Sequence, residues 1–204
     1  ARAVAGGRAG VMVAGGVDES QWLNAESFAR LGVTAEGGRP GMILGEGAAV
    51  AVLQGRPDGA LARLAGWASA GAPCPPYRYP GDPASVVSAA RQALAAAGVT
   101  AADVDLVVSF ANGLPHLAGL EVAAVEEIFA THHPSALAVT TRLGEGAFSA
   151  AARAVVAGLA VAGGLERGWS ADRLAAAGLP AYAGRARCAL VCGLAGGGSA
   201  IALV

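Results

Sequence analysis

Few residues in this chain can do chemistry. Its 204 residues hold three cysteines and three histidines, and all 14 basic residues are arginine. Cys188 and Cys192 lie four apart, so on a strand they share one face. No third ligand is within sequence reach, so the pair reads as small buried hydrophobes and no metal is expected. With Cys74 the count is odd, which implies no disulfide framework and a reducing compartment. His132-His133-Pro134 falls where a helix should end and reads as a solvated cap favoured by the helix dipole. His116 is the better catalytic candidate, because it lies in a strand-to-helix loop, where α/β proteins keep their sites. The glycines at 193, 196, 197 and 198 have the look of a dinucleotide-binding loop. That chemistry needs a helix N-terminus immediately afterwards, and residues 199–204 read as a strand, so no cofactor is expected.

The elements that must position these residues follow from composition and punctuation. The chain is 54% hydrophobic, 14% charged and only 5% aromatic, with net charge −1 and mean hydropathy +0.51. So few charges, nearly balanced, argue against a nucleic-acid or anionic-membrane partner held by basic residues. The apolar content argues against disorder. The start of the chain, ARAVAGGRAG, has no apolar core of a signal peptide. The long apolar run 146–165 carries Arg153 in its middle and is built of small residues, which suits a buried helix better than a membrane span.

Residues 11–14 read as a short buried strand closed by Gly15-Gly16. Residues 21–31 have helical spacing and stop at Gly32; residues 42–54 read as loop into strand. Residues 73–83 are Pro-rich and form a loop. Asp82 as N-cap, Pro83 at the first helical position and Gly98 as stop define a helix. Thr100 and Asp103 have capping-box spacing. A strand is predicted at 104–110, a loop at 111–115 and a helix at 117–130 with Val122, Val125, Ile128 and Phe129 inward. A strand at 136–140, a buried helix at 146–163 and two adjacent strands at 188–192 and 199–204 complete the order. Helices alternating with short apolar strands indicate an α/β fold with a mostly parallel or mixed sheet and buried helices.

Several segments together resemble the β-ketoacyl synthases, the condensing enzymes of fatty-acid and polyketide assembly. The segment GVMVAGGVDE at 10–19 looks like their strand ending in Gly-Gly. LGEGAAVAVL at 44–53 resembles their Gly-Glu-Gly-Ala strand. Residues 90–98 with 102–107 look like the helix, turn and strand before the first catalytic His, and 190–203 like the terminal Gly-rich hairpin. The resemblance implies a thiolase-like fold, with the end of the first half and all of the second half in this chain. Residues 1–72 would end the N-terminal half, 73–83 would connect, and 84–204 would form the C-terminal half. The family's nucleophilic Cys would precede Ala1, and none of Cys74, Cys188 or Cys192 matches it. Around residues 40–42 the chain is shorter than the family pattern.

The resemblance also locates two catalytic motifs, and both are degenerate. Anchoring the first on Pro115 and Glu121 puts Phe110 at its His. Anchoring the second, Lys-Ser-x-x-Gly-His, on Gly144 puts Thr140 at the Lys and Glu145 at the His. The Phe-Gly-Phe gate maps to Gly193-Leu194-Ala195, with Gly196 and Gly197 continuing the loop at the acyl tunnel. Phe110 has no side-chain donor, and an ionised Glu145 would repel an oxyanion. This pattern resembles the chain-length factors, catalytically silent partners of ketosynthases in type II systems. The implied partners are an active ketosynthase in a heterodimer, or a second copy in a homodimer, and an acyl carrier protein, all in the cytoplasm. The alternative is an active 3-oxoacyl-[acyl carrier protein] synthase with a divergent site using His116.

Overall fold

The computed structural model describes residues 1–204, the side chain of Asp172 excepted. A single helical turn, α1 (Arg2–Ala5), leads into strand β1 (Val11–Asp18). Helix α2 (Trp22–Arg30) follows, and strand β2 (Gly47–Gln54) returns antiparallel to β1, with Val13 opposite Val52. Strand β3 (Trp67–Gly71), helix α3 (Ala84–Ala97), strand β4 (Leu106–Ser109) and helix α4 (Pro115–Phe129) come next. Strand β5 (Ser135–Ala138), the one-turn helix α5 (Thr140–Leu143), helix α6 (Ser149–Val161) and strands β6 (Ala189–Leu194) and β7 (Ser199–Leu203) complete the chain.

The five-stranded sheet has the order β3-β7-β6-β4-β5. Strand β4 runs parallel to β5 and β6, whereas β7 is antiparallel to β6 and β3. The sheet is therefore mixed and the fold is α/β, as the alternation of elements predicts. One face is covered by α3 and α4: Val86, Ala90, Leu94, Leu117, Val125 and Phe129 pack with Leu190, Cys192, Ala200 and Ala202. On the other face Leu106, Val108, Leu137 and Val191 pack against Ala152, Val156 and Ala160 of α6. Helix α6 also contacts β1 and β2, so it lies between two sheets. A helix in that place needs apolar residues on almost every side, and Ala150 is its one fully exposed residue.

Local signals explain most boundaries. The Asp82 carboxylate accepts the Ala84 N–H at 3.0 Å, and Gly98 ends α3 in the left-handed region at φ 70°. Pro83 is the cap rather than the first helical residue, so α3 begins at Ala84, one position later than expected. Thr100 and Asp103 form the predicted reciprocal capping box around a short 3₁₀ turn. Five expectations need correction. The strand at 11–14 is neither buried nor closed by Gly15-Gly16: β1 runs on to Asp18, with Val11 and Val13 exposed. The segment 67–71 was not expected to be a strand; it pairs with β7, so the second sheet begins upstream of the Pro-rich segment. Thr140 opens α5 instead of closing a strand. Val122 is half-buried and outside the core clusters, whereas Ile128, also half-buried, packs against the core as expected. His132 is not a solvated cap: it is half-buried, with Nε2 2.8 Å from the Val104 carbonyl and its ring against Phe129.

Candidate functional site

The chain leaves β4 through residues 110–114 and enters α4 at Pro115. Pro115 lacks the N–H that the first helical turn leaves unpaired and is suited to this position. The turn is held by side chains from several elements. Glu121 of α4 is buried at 2% exposure and accepts from the Ser109 hydroxyl (2.7 Å), the Phe110 N–H (2.6 Å) and the Ala111 N–H (3.3 Å). Burial pushes its carboxyl up, and these donors together with the Arg153 charge pull it back. The Thr140 hydroxyl donates to the Ala111 carbonyl at 3.0 Å. The Asn112 amide reaches Met42 Sδ, and its oxygen accepts the Leu114 N–H. Gly113 has φ 98° and its α-carbon abuts the Gly41 carbonyl, so a side chain here would be both strained and obstructed.

Glu145 enters the same region from α5. Its backbone pairs with the segment around Leu44: Glu145 N–H donates to the Ile43 carbonyl at 2.7 Å, and Gly45 N–H to the Glu145 carbonyl at 3.0 Å. Gly45 and Gly144 permit this backbone-to-backbone approach, because a Cβ on either would collide with the other segment. The Glu145 carboxylate faces Arg153 of α6 at 3.8 Å. Burial raises its pKa, and the Arg153 charge and, to a smaller extent, the Ser149 hydroxyl lower it. Tyr79, from the Pro-rich loop, faces the pair; burial and the Glu145 charge push its hydroxyl up, and Arg153 opposes them.

Phe110, Thr140 and Glu145, separated by up to three dozen residues in sequence, are thus gathered at one place. Phe110 is 5% exposed and lies in the apolar core of the α3–α4 side. Its backbone N–H and that of Ala111 are engaged by Glu121, so neither is free to stabilise an oxyanion. A recess of about 180 Å³ beside the turn is lined by Asn112, Gly113, Thr140, Thr141, Arg173 and the 35–43 loop, with neither Phe110 nor Glu145 in its wall. His116 is not drawn into the cluster; it is exposed on α4 and donates from Nε2 to the Pro80 carbonyl at 3.0 Å. Of the expected loop Gly193-Leu194-Ala195-Gly196-Gly197, Gly193 and Leu194 are the last two residues of β6, paired with Ile201 and Ala200, and only Ala195, Gly196 and Gly197 lie in the turn before β7. The turn docks on the Pro-rich loop through the Gly197 N–H and the Arg78 carbonyl at 2.8 Å, and Gly196 has no room for a Cβ beside the Pro76 carbonyl.

Sequence reasoning missed the part played by Arg153. The signal was present, a single charge inside an apolar run, and it was read only as evidence against a membrane span. Among the described residues no three His, Cys, Asp or Glu side chains converge as metal ligands would, and no helix is long and apolar enough to cross a membrane.

Residues 61–172 match the family described as β-ketoacyl synthase, C-terminal domain. None of the curated proteins matches the chain. Among solved structures, the ishigamide ketosynthase/chain length factor is similar at 21% identity, with TM-score 0.79 over 98% of this chain and 55% of that one. A β-ketoacyl synthase from Burkholderia phymatum STM815 is similar at 19% identity, with TM-score 0.81 over 99% of this chain and 56% of that one. A ketosynthase in complex with its chain length factor from Xenorhabdus doucetiae is similar at 18% identity, with TM-score 0.80 over 99% of this chain and 54% of that one. The chain spans just over half the length of these structures. Likeness at such identities establishes the fold, which is thiolase-like. The family match covers more than half of the sequence, and by it the chain belongs to the β-ketoacyl synthase family.

Proposed function

We propose that this chain is part of a catalytically silent, chain-length-factor-like subunit. It pairs with an active ketosynthase in type II polyketide or fatty-acid assembly, in the cytoplasm. There it helps shape the tunnel for an acyl chain carried by an acyl carrier protein. One observation carries the reading. The two positions assigned to imidazoles in active members hold a phenyl ring buried to 5% exposure and a carboxylate facing a buried arginine. Neither can donate a hydrogen bond to a thioester or malonyl carbonyl while Glu145 is ionised. Each lost donor of this kind costs about 3 kcal/mol of transition-state stabilisation.

The comparisons support the reading at a coarser level. Two of the similar structures are described as a ketosynthase with a chain length factor, and another as a type II acyl-carrier protein in complex with its ketosynthase. In this reading the 193–197 segment forms part of the tunnel wall, and a boundary between the two halves falls between Gln54 and Trp67, ahead of β3.

The test is restoration. With the full-length subunit in complex with its ketosynthase, Phe110→His and Glu145→His are introduced singly and together. Unchanged condensation rates and no activity from the subunit alone are expected, because the catalytic groups act as a set. Condensation by the subunit alone, before any substitution, contradicts the reading.

A further inference from the structure

Arg153 is the one charged side chain of α6, and it is buried at 6% exposure. Its guanidinium reaches three groups on three segments. Nε donates to the Ser149 carbonyl one turn back (3.2 Å), and Nη1 to the Phe110 carbonyl (3.3 Å). Nη2 lies 3.8 Å from the Glu145 carboxylate. Glu145 needs that neighbour: its Oε2 is shut away from water and accepts no hydrogen bond. A carboxylate in such a place is costly unless a cation stands beside it, and a buried guanidinium is equally costly alone. Glu121 on α4, Tyr79 on the Pro-rich loop and Cys192 on β6 also feel the pair, and none of them is cationic.

The Phe110 carbonyl matters as much as the charge. Residues 110–111 have their N–H groups on Glu121, their carbonyls on Arg153 and Thr140, and the Gly113 carbonyl faces Arg173 at 3.5 Å. The same turn supplies Asn112 and Gly113 to the wall of the recess. Arg153 therefore ties the charge at position 145 to the shape of the turn that carries position 110.

We propose that Arg153 is the positioning residue of this site: its charge makes an acidic side chain tolerable at position 145, and its fork pins the Phe110 carbonyl so that the 110–113 turn stays closed. The meaning of positions 110 and 145 rests on the silent-subunit reading, but the contact network does not. The test therefore reads stability, and a failure of that reading would appear instead in the products of condensation.

The experiment uses the full-length protein in the assembly in which it purifies, with thermal unfolding as readout. Arg153→Met removes the charge at similar volume and leaves Glu145 unpaired; the Tm falls by roughly 5–10 °C. Glu145→Gln alone lowers it less. The double variant Arg153→Met/Glu145→Gln recovers at least half of the loss, because no buried charge is left without a partner. An arginine that merely fills space would give no such recovery, since the void is the same in both backgrounds. Arg153→Lys restores the charge without the planar fork. It recovers part of the Tm and leaves the Phe110 and Ala111 amides exchanging faster with solvent than in the parent. If Arg153→Met is too unstable to purify, recovery of soluble protein in the double variant is the same readout. A double variant no more stable or soluble than Arg153→Met overturns the proposal.

Discussion

The antiparallel pair β1/β2, a hairpin with helix α2 in its long connection, and the tight hairpin β6/β7 both lay one face on helix α6, from opposite sides, and their surroundings then diverge. In β6/β7 the second face meets α3, where Cys192 opposes Ala202 at 6% and 0% exposure, and strands β4 and β3 flank both edges. In β1/β2 the second face is turned outward. Val13, Val17, Val50 and Val52 are 68%, 73%, 56% and 65% exposed, and neither edge has a neighbouring strand. Both faces are apolar: the bare one presents valines, and the covered one Leu190, Cys192, Ala200 and Ala202. Side-chain hydrophobicity therefore does not decide which hairpin is buried; the availability of a covering helix and of flanking strands does. An apolar stripe of this kind is larger than the scattered surface hydrophobics of ordinary monomers and is characteristic of interaction surfaces.

A buried charge separates the two hairpins most sharply. Ala202→Asp places a carboxylate between β7 and α3 with no partner and is expected to cost about 4 kcal/mol or more in urea unfolding. Next, Glu121→Ala leaves the Ser109 hydroxyl and two backbone N–H groups without their acceptor, for a loss of roughly 3 kcal/mol; Glu121→Gln, which keeps an acceptor, is expected to lose less. Val52→Asp, the counterpart of the first change on the bare hairpin, is expected to cost no more than about 0.5 kcal/mol in the 1–204 chain. The 1–204 chain itself should self-associate in light scattering, and Val52→Asp should reduce that association. In the full-length protein the Val52→Asp cost should rise above about 2 kcal/mol, since a covered face makes the charge a buried one. Equal cost in both lengths would mean that nothing covers the face.

The smallest effect concerns reactivity. Burial and the nearby Glu121 charge push the Cys192 thiol up to about 12, with Arg153 opposing. Thiolate is the reactive form. Cys192 should therefore resist iodoacetamide at pH 8 in the native protein and react once urea exposes it, as read by peptide mass. Rapid native labelling at Cys192 would show that the β6/β7–α3 packing is looser than the structure indicates.

How much of this was legible in the sequence depends on the range of the interaction. Local chemistry was readable: Asp82 and Gly98 bracket α3, the Thr100–Asp103 box forms, and the apolar run at 146–165 contains the buried helix α6. The α/β class followed from the alternation of those elements. The strand Trp67–Gly71 escaped notice because WASAG has no strong strand signal and owes its conformation to pairing with β7. Phe110, Thr140 and Glu145 were found through their motif anchors, but what surrounds them was not. Glu121 is bound to Phe110 from 11 positions away, and Arg153 to the Phe110 carbonyl from 43 positions away. Glu121 stood out only as a motif anchor and Arg153 only as a charge in an apolar run; their bonds to Phe110 are set by tertiary packing, which spacing along the chain does not encode.

The central claim is that condensation runs without chemistry from this chain. It is tested most directly by measuring malonyl condensation in the full complex with Phe110→Ala and Glu145→Ala here and, separately, with the partner's nucleophile removed. The account predicts that turnover survives both changes here, with at most altered product length or weaker assembly, and vanishes with the partner change. Loss of condensation in Glu145→Ala while the complex stays intact would give Glu145 a catalytic role and contradict the account.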